Sequence, residues 1–320
     1  MSRSLANSGR VESPGPSSLV GSGNQPRSAN DSLDQLSPTV AAASSSGQRR
    51  YVTSQRVKAI DDQLSQRQRE LLADVGRLGV VSAAQLQRLH YPATEVGRRL
   101  SRQDLSTLGQ LGVLSRLDRL IGGVRAGSAG HVYALGTAGQ RLLNPGQRRY
   151  RPPWTPQPSY LRHALSVSEL YVSLRETEHR TGLNLISFDT EPKCWKSFSG
   201  PGGSRLVLKP DAMAVLHLGD FEDRYLIEAD CSTESGPRIL SKARIYVRYS
   251  QSGREQAASG VFPFVLWVTP SEKRKDFLIG VLAGLPPEQR QLFLVATSTE
   301  AAERIATGSA TPITRAREVK

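Results

Sequence analysis

Three acids stand in stretches where a sheet expects aliphatic side chains. Asp211 lies in LKPDAMAVL, residues 208–216, and Glu228 and Asp230 lie in YLIEADCSTES, residues 225–235. In a strand, residues two apart share a face, so Glu228 and Asp230 point the same way with Ala229 opposite. If the two strands are neighbours, Asp211 joins them. Carboxylates held that close repel one another, and a cation relieves the repulsion. Hard oxygen donors suit Mg²⁺. Mg²⁺ can activate a water and neutralise charge on a scissile phosphate. The expected metal set is therefore Asp211, Glu228 and Asp230. The same acids also fit a strand end that faces water or pairs with arginine.

The elements that must position these acids run from about residue 161 to 301. HALSVSELYVSLRETEHRTG (163–182) has helical spacing. LNLISFDTEP, RLVLKPDAMAVLHLG and DRYLIEADCS read as three strands. GPRILSKARIYVRYSQ is a helix with Gly236 and Pro237 at its start. PFVLWVTP and QLFLVATS are apolar strands, separated by a helix around KDFLIGVLAGL. The order α-β-β-β-α-β-α-β predicts a mixed sheet with helices against its faces.

Residues 51–143 carry a different pattern. SQRQRELLADVGRL (65–78) places Leu71, Leu72, Val75 and Leu78 on one side, with Ser65 as N-cap and Gly79 as stop. Ser82 caps a short helix that Pro92 ends, and a longer helix starts near Thr94. VLSRLDRLIGGVRAGSAGHVYAL then reads as a hairpin with a Gly-rich tip. Together these make a winged helix-turn-helix. Residues 51–150 hold 15 Lys and Arg against 7 Asp and Glu, most of the excess behind the chain's net charge of +13. Arg98, Arg99 and Arg102 fall on the outer side of the third helix, with Val96, Leu100, Leu108 and Leu111 assigned to its buried side. A recognition helix places such arginines in the major groove of double-stranded DNA. Arg125 at the wing tip would reach phosphate or minor groove. The arginines also fit a solvated face, and winged helices serve as protein-docking modules too.

Composition sets the outer limits. A pI near 10.1 points to nucleic acid as the partner, ahead of an anionic membrane surface. No run approaches the roughly 18 apolar residues of a membrane span. No apolar core of a secretory signal is present at the start, so a cytoplasmic location is expected. Cys194 and Cys231 are the two cysteines, too few for a disulfide framework or a cysteine zinc site. Residues 1–50 are rich in Ser, Gly, Asn and Pro and read as disordered. Residues 144–160 hold five prolines and read as a linker. Residues 302–320 read as a flexible tail. Trp154, Trp195 and Trp267 are expected to pack locally. No P-loop, GxSxG or HExxH occurs.

The strand order, with Pro-Asp on the second strand and Glu on the third, resembles the PD-(D/E)XK, restriction-endonuclease-like superfamily. More narrowly, residues 65–300 resemble the replication-relaxation family of actinobacterial plasmids and integrative elements. The matching stretches are His163 to Glu169, LKPDA (208–212), EADCSTE (228–234) and KARIYVRY (242–249). The resemblance implies an α/β (α+β) chain, a winged helix followed by a nuclease-like domain. It also implies a DNA-binding protein of mobile-element replication or transfer, a Mg²⁺-dependent nuclease or nickase, working with other plasmid replication or transfer proteins. The alternative it leaves is a non-catalytic DNA-binding regulator with an inactive nuclease-like domain. One position departs from the pattern: the superfamily places Lys two residues after the acid, and here Asp230 stands there. Lys242 on the following helix is the replacement, in a stripe with Arg238 and Tyr246. The stripe would otherwise balance the acidic face structurally. His163 and Glu169 are secondary candidates: a lone His on a helix is more often structural, and Glu169 fits a cap or salt bridge as well as a metal shell.

Overall fold

A side-chain oxygen marks the start of each of the first four helices. The computed structural model describes residues 52–117, 130–147, 150 and 156–307. Thr53 caps α1 (Ser54–Gln63), and Ser65 caps α2 (Gln66–Leu78) in a reciprocal capping box with Gln68. Gly79, at φ 76°, ends α2 in a conformation that disfavours any side chain. After β1 (Val81–Ser82), Ser82 and Gln85 form a second capping box on α3 (Ala83–His90). Thr94 caps α4 (Glu95–Gln110). The chain then forms β2 (Leu114–Leu117) and β3 (Val132–Leu135), which pair antiparallel, with β1 on the other side of β3. This is the helix and hairpin order expected for residues 65–135. The hairpin tip with Arg125 lies outside the described residues. Helix α5 (Thr137–Leu143) follows, and neither it nor α1 is evident from the sequence pattern.

The second part opens with the long helix α6 (Pro158–Arg180) and β4 (Leu183–Thr190). Next comes a two-stranded hairpin, β5 (Lys196–Ser199) and β6 (Arg205–Leu208), followed by β7 (Ala212–Leu218) and β8 (Phe221–Ala229). Helices α7 (Gly236–Gln251) and α8 (Arg254–Ser259) lead to β9 (Phe264–Thr269). The chain continues through α9 (Glu272–Leu282), α10 (Pro287–Arg290), β10 (Phe293–Thr297) and α11 (Ala301–Ala306). The main sheet is mixed, in the order β10-β9-β8-β7-β4. The pairs β4–β7 and β7–β8 are antiparallel, while β8, β9 and β10 run parallel. The fold is thus mixed α/β, with the expected α-β-β-β-α-β order interrupted by the β5–β6 hairpin.

Three sequence expectations change. RLVLKPDAMAVLHLG is two strands in two different sheets, because Pro210 has no N–H to give a ladder and the chain breaks there. Residues 302–306, placed at the start of a flexible tail, belong to α11, whose Ala301, Ala302, Ile305 and Ala306 are buried against the core. The small side chains let this short helix lie close. Finally, residues on both sides of the expected linker share one apolar cluster, from Leu71 and Leu86 through Tyr171 to Leu294 and Ala302. The linker itself lies partly outside the described residues.

Polar contacts reinforce that shared core. Arg88 of α3 is clasped by Glu169 at 2.5 Å and Glu176 at 2.6 Å, both on α6. Gln85 donates to Glu169 and to the Leu165 carbonyl, both at 3.0 Å. Ser168 donates to the Val80 carbonyl at 2.7 Å, and Tyr171 to Asp74 at 2.7 Å. Glu169 therefore serves this seam and not the acid cluster.

Candidate active site

Pro210 also explains where the first acid stands. With the ladder interrupted, Asp211 occupies the slot just before β7, and its N–H donates to the Ile227 carbonyl at 2.9 Å. Ala212 is registered with Ile227, so Asp211 faces the end of β8 that carries Glu228. The Ala229 N–H donates to Asp211 Oδ2 at 2.7 Å. His163 Nε2 of α6 stands 3.3 Å from Asp211 Oδ1. Burial alone would raise the Asp211 carboxyl, but His163, Lys242 and the Ala229 N–H reverse this and hold it below its ordinary value. Burial likewise works against a charged His163, yet Asp211 and Cys231 outweigh it and push the imidazole up to about 11.

Glu228 is buried at the C-terminal end of β8. Lys242 Nζ of α7 lies 2.5 Å from its Oε2, and the Tyr246 hydroxyl donates to its Oε1. The i, i+4 spacing brings both groups onto the acid. Arg238, the third member, instead pairs with Glu234 at 3.0 Å on the exposed side. Burial and the nearby Asp211 push Glu228 up to about 8, against the pull of Lys242 and Tyr246. Lys242 stays cationic: burial opposes its charge, but Glu228 and Asp211 raise it above its usual value.

Asp230 lies elsewhere. Its carboxylate accepts from Arg274 of α9 at 2.6 and 2.9 Å, and Arg274 also donates to the Glu234 carbonyl at 2.7 Å. Glu228 and Asp230 thus reach two different helices, so the three acids do not gather round one point. Among the described residues, no group of three or more His, Cys, Asp or Glu side chains is placed to hold a metal. Glu191, absent from the sequence-derived set, borders the same region. It lines a cleft of about 110 Å³ with His163, Asp211, Thr190 and residues at the end of α2. Lost hydration and the Asp211 charge raise its carboxyl. Nothing in TEPKCW marks Glu191 from sequence, since a loop acid beside proline is ordinary. Arg274 is equally silent, sitting between Lys273 and Lys275.

On α4, Arg98, Arg99 and Arg102 are exposed. Arg98 and Arg102 both contact Glu95, at 2.7 and 3.3 Å. The buried side is Gly97, Ser101, Leu105 and Leu108, with Leu100 and Leu111 packed against the core. Val96 is a correction: it is 58% exposed, because Gly97 and Ser101 set the inward direction one residue later than expected.

These features define a class of mixed α/β protein. A buried acid, lysine and tyrosine cluster closes a central strand, and a helix and hairpin segment with exposed arginines precedes it. The chain belongs to the replication-relaxation family, whose sequence model matches residues 72–265. No curated protein and no solved structure matches it. Among the described residues, no helix is long and apolar enough to cross a membrane.

Proposed function

We propose that this chain binds double-stranded DNA through α4 and processes it at Asp211, Glu228 and Lys242, in the replication or transfer of a plasmid or other mobile element and alongside its other replication or transfer proteins. The observation that carries the reading is Lys242 on Glu228, 2.5 Å away, beside Asp211. A cation from α7 thereby stands in for the lysine that Asp230 replaces. Two oxygen-donor carboxylates suit Mg²⁺, which commonly takes one or two protein carboxylates and completes its shell with water and phosphate. Burial and the Asp211 charge raise the Glu228 and Glu191 carboxyls, and a cation bound at Asp211 and Glu228 would offset that charge. When bound, Mg²⁺ would supply charge neutralisation on the phosphate and an activated water. Asp230, committed to Arg274, supports the strand end from outside that set. His163 orients Asp211, Lys242 faces the phosphate charge, and Tyr246 fixes Glu228.

Supercoiled plasmid incubated with Mg²⁺ or Mn²⁺ tests this. Nicking is expected, with a loss of at least about a hundredfold in Asp211→Asn and Lys242→Ala. Replacing Arg98, Arg99 and Arg102 together by Ala should weaken duplex binding and reduce the steepness of its salt dependence by about two to three units. A slope unchanged by the triple replacement would place the duplex contact away from α4.

A second reading has its own observation. Each acid already carries a cation of the chain: Asp211 has His163, Glu228 has Lys242 and Asp230 has Arg274. A non-catalytic DNA-binding regulator would need nothing more. Salt-sensitive binding with no metal-dependent nicking would select it.

A further inference from the structure

The β5–β6 hairpin, inserted between two strands of the main sheet, has one face that the core does not use. Its inner side is anchored. Phe198 packs on Tyr249 with ring centroids 5.0 Å apart, Leu208 is buried, and Lys196 pairs with Glu255 at 2.9 Å. The antiparallel register places Ser197 opposite Val207 and Ser199 opposite Arg205, and all four are exposed. One step further along the pair, Lys209 Nζ lies over the Trp195 ring, 4.7 Å from its centroid. Trp195 packs locally against Lys209, as expected, and keeps 38% of its surface exposed. The outer face therefore runs Trp195 and Lys209, Ser197 and Val207, Ser199 and Arg205. It carries an aromatic plane at one end, positive charge at both ends and no acid. Lys209 is two residues before Asp211, so the strip leads into the acid cluster.

We propose that this face is a docking strip for single-stranded DNA, which guides an unpaired strand toward Asp211 and Glu228. Nonspecific strand binding combines cationic groups that follow the phosphates with aromatic side chains on which bases stack. The strip has both. A duplex keeps its bases stacked on one another and offers no free base plane to Trp195. The hairpin's anchoring behind the strip means that little ordering is required on binding. The proposal extends the reading of Asp211, Glu228 and Lys242 as a DNA-processing site, and its test is a binding measurement independent of cleavage.

Titrating the full chain with short oligo-dT should quench tryptophan emission. Trp195→Phe should abolish that quench, which separates Trp195 from Trp154 and Trp267. Replacing Arg205 and Lys209 together by Ala should weaken oligo-dT binding about tenfold while changing duplex affinity less than about twofold. The triple replacement on α4 should do the reverse. Thermal melts of each variant check that the fold is kept, and Trp195→Phe retains the aromatic ring if the double replacement does not fold. No Trp195-dependent quench would overturn the strip. So would duplex DNA or anionic vesicles that displace oligo-dT at equal or lower concentration. Loss of nicking with oligo-dT binding intact would remove the processing site and leave the strip standing.

Discussion

Lys242→Ala is expected to destabilise the fold by about 3–5 kcal/mol above neutral pH, because it leaves the buried Glu228 carboxylate without its cation. The penalty should depend on pH in a specified direction. Glu228 titrates near 8 in the folded chain, above its ordinary 4.5. A group raised in this way contributes stability that is full below about 4.5 and is lost as pH rises through about 8. The wild-type chain should therefore weaken between about pH 5 and 8 by a few kcal/mol, since raising a carboxyl by one pH unit corresponds to about 1.4 kcal/mol. Glu228→Gln, which cannot ionise, should remove the Glu228 share of that loss and leave the share above about pH 6.5 that comes from His163, pushed up to about 11. At about pH 5 Glu228 holds its proton, so Lys242→Ala should cost much less there than at pH 9. In the Glu228→Gln background its cost should drop to about 1 kcal/mol, that of a lost hydrogen bond and some packing. Urea unfolding of the two single variants and the double variant across pH measures each quantity. An equal cost of Lys242→Ala in both backgrounds would mean that the lysine and the acid are not energetically coupled.

Two glycines of α4 should respond in opposite directions to the same change. A Cβ on Gly97 would stand 2.1 Å from the Pro92 carbonyl oxygen, which is backbone and cannot swing aside. Gly97→Ala must move the start of α4 or the Pro92 turn. A net loss of about 2–3 kcal/mol is expected even after the roughly 1 kcal/mol that alanine brings to a helix. Because Arg98, Arg99 and Arg102 follow directly, duplex binding should fall with it. Gly109 lies in the same helix with nothing within 4 Å of its would-be Cβ. Gly109→Ala should raise stability by about 0.5–1 kcal/mol and leave binding unchanged. Chemical denaturation and duplex titration of both variants give the comparison. Equal effects would show that α4 has slack at its first turn.

How much of this was legible in the sequence follows from the range of the forces involved. Helix starts at Ser65, Ser82 and Thr94, the stop at Gly79 and the break at Pro92 depend on groups within four residues of one another, and the sequence determined them. Alternation and apolar runs also marked the strands that carry Asp211 and Glu228, while their pairing as neighbours was left conditional until the structure placed β7 beside β8. The i, i+4 spacing put Arg238, Lys242 and Tyr246 in one stripe and left open whether it faces the acids. Only the tertiary structure decided what they act on. Glu228 found Lys242 and Tyr246 because both side chains of α7 reach the end of β8, whereas Asp230, two residues later, was taken by Arg274 of α9. His163 reached Asp211 from a helix that precedes it by tens of residues in the chain. The hairpin split from RLVLKPDAMAVLHLG was hidden for a related reason. Both halves have strand character, and which sheet each joins depends on partners elsewhere in the chain. Local patterns fix what a segment is, while charge pairing between distant segments is settled only when packing removes the water between them.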